Sequence, residues 1–193
     1  MSAVLRTVGL SKHWGGFHAN SDIDFSLEAG ARHALIGPNG AGKTTFINLL
    51  TGFLQPSAGD VYLGDEKVTH LAQHLRVRRG VTRTFQINTL FPGLTVLESV
   101  TLAICVRSGT ARRLWSALSR QRDAIDEAQA LLASLQLERE AAVVTASLPY
   151  GKQRLLEIAL ALATRPKILL LDEPAAGIPS NECAALFEVI ARL

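Results

Sequence analysis

A glycine-rich loop between a predicted strand and a predicted helix constrains this sequence more than any other feature. The predicted strand is Arg32–Ile36 and the predicted helix is Thr44–Leu50. The pattern between them is G-x-x-x-x-G-K-T, in which glycines let backbone N–H groups converge on an anion and the helix adds the positive end of its dipole. The sequence therefore predicts a phosphate-binding loop made of Gly37, Pro38, Asn39, Gly40, Ala41, Gly42, Lys43, Thr44 and Thr45.

Four side chains, two of them in this loop, are expected to act on a bound nucleotide. Lys43 would reach the β- and γ-phosphates of a nucleotide, and the Thr44 hydroxyl would ligate Mg²⁺. The apolar strand Lys167–Leu171 leads into Asp172, which would emerge beside the loop at the carboxyl edge of a parallel sheet and share the metal. Glu173 comes next and would accept a proton from an attacking water. The alternative for this acidic pair is a helix cap or a surface turn.

The remaining pattern predicts an α/β chain with a helical insert at residues 95–145. Short β-like runs occupy the first half of the chain, at Val4–Leu10, Ile23–Leu27, Val61–Leu63 and Val81–Phe85. Helical spacing of apolar residues predicts helices from Thr95, over Asp123–Leu137 and Gly151–Thr164, and from Ser180.

Composition limits the class of protein and of partner. The chain has 193 residues, a net charge of +3 and 48% hydrophobic residues, enough for a globular core. Its apolar runs are far shorter than the ~20 residues that span a bilayer.

Cys105 and Cys183 lack a close partner or nearby histidines, which favours buried thiols in a reducing compartment. The arginine clusters predict solvated helix faces or, alternatively, a surface for phosphates or lipid headgroups: Arg76, Arg78, Arg79 and Arg83, then Arg107, Arg112, Arg113, Arg120 and Arg122.

A segment ahead of the Asp172 strand resembles the signature motif of the ATP-binding cassette family. The segment comprises Leu148, Pro149, Tyr150, Gly151, Lys152, Gln153 and Arg154. The resemblance extends over nearly the whole chain. It implies that Gln86 is the family's Gln loop, serving metal and catalysis, and that Trp14 stacks on adenine. It also implies that residues 148–153 act on the ATP bound to the opposite subunit.

This resemblance implies a fold and a division into domains. The fold class is α/β, a P-loop NTPase with a mostly parallel sheet, an N-terminal antiparallel β portion and an all-helical subdomain. Residues 1–94 and 146–193 would form the ATPase core. Residues 95–145 would form the helical subdomain, extending into the signature segment 147–154.

The implied function is ATP hydrolysis with Mg²⁺, energising an importer at the cytoplasmic face of the membrane. The sequence around Gln86, Thr95, Tyr150 and Glu173 is most similar to that of ATPases of branched-chain amino acid importers. The implied partners are a second ATPase subunit, in a homo- or heterodimer, and membrane permease subunits. A periplasmic or extracellular solute-binding protein would take part indirectly, and no nucleic acid is expected. The alternatives are a P-loop kinase, a non-transport cassette ATPase acting on nucleic acid or the ribosome, and a nucleotide-binding module without turnover.

Two prolines and the end of the sequence depart from the family pattern. Pro149 replaces the signature serine, whose hydroxyl and neighbouring amide contact phosphate in the family, and proline supplies neither donor. Pro179 stands where the D-loop has its usual aspartate. The sequence ends at Leu193, before any counterpart of the switch histidine, so we expect a C-terminally truncated ATPase.

Overall fold

The computed structural model of this chain describes residues 3–84, 90–110, 121–178, 183, 187–188 and 190–191. Gln86, Pro179 and Ser180, which carry sequence predictions, lie outside the described residues. The chain divides into two units. The first comprises Met1–Arg83 with Pro166–Asp172, and the second comprises Thr84–Arg165 with Glu173–Leu193. The domain boundaries predicted from the sequence stay a prediction.

Most strands of the first unit belong to one antiparallel sheet. Strand β1 (Ala3–Trp14) lies between β2 (Phe17–Glu28) and β3 (Ala58–Leu63), and β4 (Glu66–Lys67) extends the sheet beyond β3. Every strand here has an antiparallel neighbour. The predicted N-terminal antiparallel portion therefore forms, with strands longer than the sequence pattern indicated.

A parallel pair of strands completes the first unit. Strand β5 (Val81–Arg83) pairs with β6 (Ile168–Leu170), and Arg83 lies opposite Leu170. Because parallel strands end at the same edge, the last residue of β5 and the residues after β6 come together there. This edge is where the sequence predicts the metal-binding carboxylate.

Two helices accompany these strands, α1 (Lys43–Thr51) and α2 (Gln73–Arg78). Helix α1 ends at Gly52, whose left-handed backbone (φ 77°) glycine adopts without strain. Its buried face joins strand residues in an apolar core that consists of Leu5, Leu10, Phe46, Leu49, Leu50, Val61, Val68, Val81 and Ile168. The core thereby fixes α1, and the loop before it, against the sheet.

The second unit is helical in its described part. Its helices are α3 (Val96–Arg107), α4 (Arg122–Ser134) and α5 (Tyr150–Ala163), with short 3-10 turns at Glu138–Glu140 and Thr145–Ser147. The Arg107 guanidinium donates to both carboxylate oxygens of Glu127 on α4, at 2.8 and 2.7 Å, and to the Ala163 carbonyl at the end of α5. One side chain thus ties the three helices together. The helices predicted from Thr95 and over Asp123–Leu137 and Gly151–Thr164 are confirmed, and the start of the helix predicted from Ser180 lies outside the described residues.

Two sequence predictions about exposed and paired segments are wrong. Residues 32–36 form no strand, and Leu35 and Ile36 are 50% and 89% exposed, because a short apolar run becomes a strand only where the fold pairs it with another strand. Arg76 and Arg83 do not lie on solvated faces. Arg76 is fully buried and the Arg83 side chain is 10% exposed, because both donate to acceptors inside the first unit.

Neither a membrane span nor a metal cluster built from side chains is found in the described part of the chain. No described helix is long and apolar enough to cross a membrane. The described residues contain no group of three or more His, Cys, Asp and Glu side chains that could hold a metal ion. Of the two cysteines, Cys105 is buried as predicted, and Cys183 is partly exposed.

Candidate nucleotide-binding site

The predicted phosphate loop runs directly into helix α1. Gly40 and Gly42 both adopt a left-handed backbone with φ 81°. A Cβ at Gly42 would lie 2.3 Å from the Ala19 carbonyl oxygen of β2, so only glycine fits there. The first helical hydrogen bond runs from the Phe46 N–H to the Gly42 carbonyl, at 2.8 Å. The amides of Lys43, Thr44 and Thr45 therefore precede the helical bonding pattern, as an anion site at a helix N-terminus requires.

Lys43, the first residue of α1, folds back over the loop. Its ammonium donates to the Gly37 carbonyl at 2.6 Å and to the Pro38 carbonyl at 2.7 Å. The Ala41 N–H also donates to Pro38, closing a turn at 3.2 Å. The Lys43 cation therefore lies on the loop itself, where it could exchange carbonyl oxygens for phosphate oxygens.

Asp172 lies two residues after β6, and its side chain is 8% exposed. Its Oδ2 accepts a hydrogen bond from Arg83 Nη2, and the other terminal nitrogen of Arg83 donates to Asn48 Oδ1 on α1. The carboxylate predicted to serve a metal is thus linked through Arg83 to the helix that begins at the phosphate loop. The sequence analysis did not assign Arg83 or Asn48 to the site, although the position of Arg83 within the predicted strand Val81–Phe85 was a usable signal.

Trp14 lies at the end of β1, in the hairpin that joins β1 to β2. Its indole is 47% exposed and packs near the Phe17 ring, with centroids 6.5 Å apart and planes inclined by 23°. The Lys12 ammonium lies 5.2 Å from the Trp14 ring centroid. Strand β2 of the same hairpin contacts the phosphate loop, since Asn20 Nδ2 donates to the Gly42 carbonyl at 3.4 Å. Adenine stacking on Trp14 stays a prediction.

Glu173 is the first residue of the second unit. It is exposed and adopts a left-handed backbone with φ 45°, which is uncommon for a residue with a side chain. Its carbonyl accepts a hydrogen bond from the Ala176 N–H at 2.9 Å, so the residue opens a tight turn. Strained backbone of this kind concentrates at functional positions, which is consistent with the predicted role of Glu173.

The signature-like segment forms the start of α5. Pro149 is the N-cap, with φ −56° and ψ 149°, and supplies no side-chain cap. The Tyr150 hydroxyl donates to the Ala176 carbonyl at 3.1 Å and accepts from Arg154 Nη2 at 2.8 Å. Arg154 also pairs with Glu157 at 2.7 Å, and burial raises the pKa of that carboxyl. Within the second unit, Tyr150 therefore connects the signature to the turn that Glu173 opens, a contact that sequence reasoning missed.

The remaining signature residues are held by the helical unit itself. Gln153 Nε2 donates to the Leu148 carbonyl at 2.9 Å, and the Gln153 N–H donates to the Pro149 carbonyl at 3.0 Å. The Lys152 ammonium donates to the Gln136 carbonyl at 3.0 Å. Gly151 follows Tyr150 in the first turn of α5. These contacts fix the first turn of α5, so the N-terminal amides of the helix belong to the signature-like segment.

Comparison with known proteins identifies relatives along the whole chain. A family model described as ABC transporter matches residues 20–176. The high-affinity branched-chain amino acid transport ATP-binding protein LivG of Escherichia coli (strain K12) is 40% identical, over all of this chain and 78% of LivG. The corresponding protein BraF of Pseudomonas aeruginosa is 39% identical, over 98% of this chain and 76% of BraF.

A solved structure supports the same relationship. The ADP conformation of MJ1267, an ATP-binding cassette of an ABC transporter, superposes with a TM-score of 0.84 at 29% identity. The match covers all of this chain and 77% of MJ1267. The predicted α/β P-loop NTPase fold with its N-terminal antiparallel portion is therefore confirmed, although among the described strands only β5 and β6 pair in parallel.

Proposed function

The chain belongs to the ABC transporter family, as an ATP-binding subunit that hydrolyses ATP, and we propose that it energises import of branched-chain amino acids or related small solutes. The names and full-length similarity of LivG and BraF support this solute class. Non-transport cassette ATPases and P-loop kinases are not supported by these relatives. Subunits of this kind couple ATP binding and hydrolysis to motion of their partners.

The loop before α1 is the observation that carries the proposed ATP binding and hydrolysis, because its residues fit the phosphates of a nucleotide. Gly42 adopts a left-handed backbone close to Ala19, where a Cβ would clash, the first amides of α1 precede its hydrogen-bond ladder, and Lys43 supplies a cation. Asp172 supplies a buried carboxylate of the kind that Mg²⁺ prefers. When bound, ATP supplies the bond to be hydrolysed, and Mg²⁺ neutralises charge on the phosphates.

The residues of the loop have distinct roles in this proposal. Residues 37–45 bind phosphate through backbone amides, and the Lys43 ammonium leaves the Gly37 and Pro38 carbonyls for phosphate oxygens. The Thr44 hydroxyl and the carboxylate of Asp172, together with Gln86, serve the metal. Trp14 offers an exposed aromatic face for the base.

Glu173 is proposed to move the proton. A carboxylate oxygen of Glu173 would orient the attacking water and take its proton as the water oxygen bonds to the γ-phosphorus and the β–γ phosphoanhydride bond breaks, with ADP as the leaving group. Residues 148–153 would act on the ATP of a second ATPase subunit. This assignment makes the dimer the catalytic unit, with each chain completing the site of the other.

The proposed partners follow from importer architecture. The second ATPase subunit would be identical or related, and the helical unit would meet membrane permease subunits at the cytoplasmic face. A solute-binding protein would contact those permease subunits on the opposite side. The proposed domain division assigns residues 95–145 to the helical subdomain and the remainder to the ATPase core.

Replacing Glu173 with glutamine tests the catalytic assignment. Glu173→Gln in the assembled transporter should bind ATP with unchanged affinity while turnover falls about 100-fold or more, because the amide cannot take the proton. Phosphate release and nucleotide binding are measured on the same preparation. The control is Glu138→Gln, at an exposed carboxylate of the helical unit, which should hydrolyse ATP normally. Full turnover in Glu173→Gln would place the base elsewhere, whereas binding without any wild-type turnover would identify a nucleotide-binding module.

A further inference from the structure

The carboxylate assigned to the metal already has a cation beside it. Arg83 Nη2 donates to Asp172 Oδ2, and Nη1 donates to Asn48 Oδ1. Both members of the ion pair are buried, with 10% of the Arg83 side chain and 8% of the Asp172 side chain exposed. Burial leaves little water to screen the pair, so a charge introduced here acts strongly on both groups.

The hydrogen bonding of Arg83 is incomplete. Its Nε is buried and has no hydrogen-bond partner among the residues that the structure describes, so the guanidinium is held only through its two terminal nitrogens. A buried donor without a partner costs free energy. Arg83 is therefore bound less completely than an arginine that serves structure alone, and Arg76 in the same unit, with every guanidinium nitrogen donating, shows the contrast.

We propose that Arg83 is a positioning residue that holds the Asp172 carboxylate in the metal-free protein and must yield that carboxylate to the divalent cation that accompanies the nucleotide. The inference rests on the proposed role of Asp172 as a metal ligand. Two effects act in the same direction. The guanidinium occupies a carboxylate oxygen, and its positive charge repels a second cation at the same buried edge. Arg83 consequently weakens metal-assisted nucleotide binding while it keeps Asp172 paired without metal.

Binding of ADP with and without metal measures this competition directly, without turnover. The quantity is the ratio of the ADP dissociation constant in EDTA to that in saturating Mg²⁺, determined by calorimetry on the full chain. Arg83→Met should raise this ratio about tenfold, as expected for removal of one coupled charge. A ratio that is unchanged or lower in Arg83→Met would overturn the proposal.

Two other variants make the result specific. Arg79→Met is the matched control, because Arg79 lies four residues before Arg83, directly after α2, but pairs with Glu66 in a more exposed place, at 2.8 Å, and the ratio should stay at the wild-type value. If Arg83→Met fails to fold, Asn48→Ala serves instead, because it frees Arg83 from α1 without removing a charge. Because the Arg83 guanidinium is then held less firmly, the ratio should rise by less than in Arg83→Met. An unchanged ratio in Asn48→Ala would contradict the proposal.

Asp172→Asn separates failure of this inference from failure of the proposed function. Loss of the Mg²⁺ effect in Asp172→Asn, with a raised ratio in Arg83→Met, supports both assignments. Loss in Asp172→Asn without a rise in Arg83→Met leaves Asp172 as the ligand and overturns the role of Arg83. A wild-type Mg²⁺ effect in Asp172→Asn shows that Asp172 is no metal ligand, and both assignments fall.

Discussion

Arg76 lies fully buried beneath the end of α1 and donates hydrogen bonds to backbone carbonyls. Its Nη1 donates to Leu49 at 2.7 Å and to Leu50 at 2.8 Å, both in the last turn of the helix. The Thr69 and Leu71 carbonyls accept from Nη2 and Nε, at 2.8 and 3.2 Å. Burial lowers the pKa of Arg76 to about 10, so the group remains charged at neutral pH. A cation here interacts favourably with the negative end of the helix dipole.

Removing this guanidinium should destabilise the first unit. Arg76→Met keeps the apolar length of the side chain but leaves two carbonyls of α1, and those of Thr69 and Leu71, without this donor. We therefore expect a loss of about 3 kcal/mol in unfolding free energy. Urea denaturation followed by circular dichroism measures it. Arg78→Met, at an exposed position of the same helix, should change stability by less than about 0.5 kcal/mol. Equal losses in the two variants would contradict this account of Arg76.

At the scale of one element, helix α3 begins with a reciprocal cap. The Thr95 hydroxyl accepts from the Glu98 N–H at 3.2 Å, while a Glu98 carboxylate oxygen accepts from the Thr95 N–H at 2.8 Å. The pattern is a capping box, and the sequence predicted a helix from this residue. The hydrogen bond from the Thr95 backbone, followed by that from its hydroxyl, lowers the pKa of Glu98 below its usual 4.5.

Breaking the box should weaken the helical unit in a pH-dependent way. Thr95→Ala should cost about 1 kcal/mol at neutral pH. Because the pKa of Glu98 is lower in the folded state, its contribution is complete above the unfolded pKa and disappears as pH falls through the folded pKa. The difference between wild type and Thr95→Ala should therefore shrink below about pH 4. Thermal unfolding at several pH values measures it.

Glu98→Gln is the control for that experiment. The amide oxygen retains an acceptor for the Thr95 N–H but does not titrate there, so the difference between Glu98→Gln and the double variant Glu98→Gln/Thr95→Ala should stay constant through the acid range. A wild-type loss of stability in acid that persists unchanged in Glu98→Gln would assign the pH dependence to other carboxylates.

At the scale of the whole molecule, Pro149 is expected to affect a site that its own chain does not contain. Serine at this N-cap would supply a hydroxyl and an N–H toward the ATP of the second subunit. Pro149→Ser should therefore raise ATP turnover of the assembled transporter severalfold without changing nucleotide affinity. Pro56→Ser, in the turn before β3, should leave turnover unchanged. Steady-state hydrolysis compares them, and unchanged or reduced turnover in Pro149→Ser would argue against a contact by the signature across the dimer.

The sequence by itself determined the features that depend on neighbours along the chain. The start of α3 at Thr95 follows from local spacing and a cap and is confirmed, whereas the phosphate loop and the bounds of the helical insert stay predictions. Asp172 was recognised because an apolar strand leads into it. The roles of the loop residues, Glu173 and the signature stay predictions, since they concern a nucleotide and a second chain.

Only the tertiary structure determined which groups each charged or apolar side chain contacts. Arg76 and Arg83 have the same local pattern as a solvated helix face, yet one stabilises the end of α1 and the other pairs with Asp172, 89 residues further along the chain. Residues 32–36 end in an apolar run typical of a strand, yet they form none, and Leu35 and Ile36 lie exposed. Propensity and periodicity act within a few residues, whereas burial, ion pairing and strand pairing depend on segments that only folding brings together.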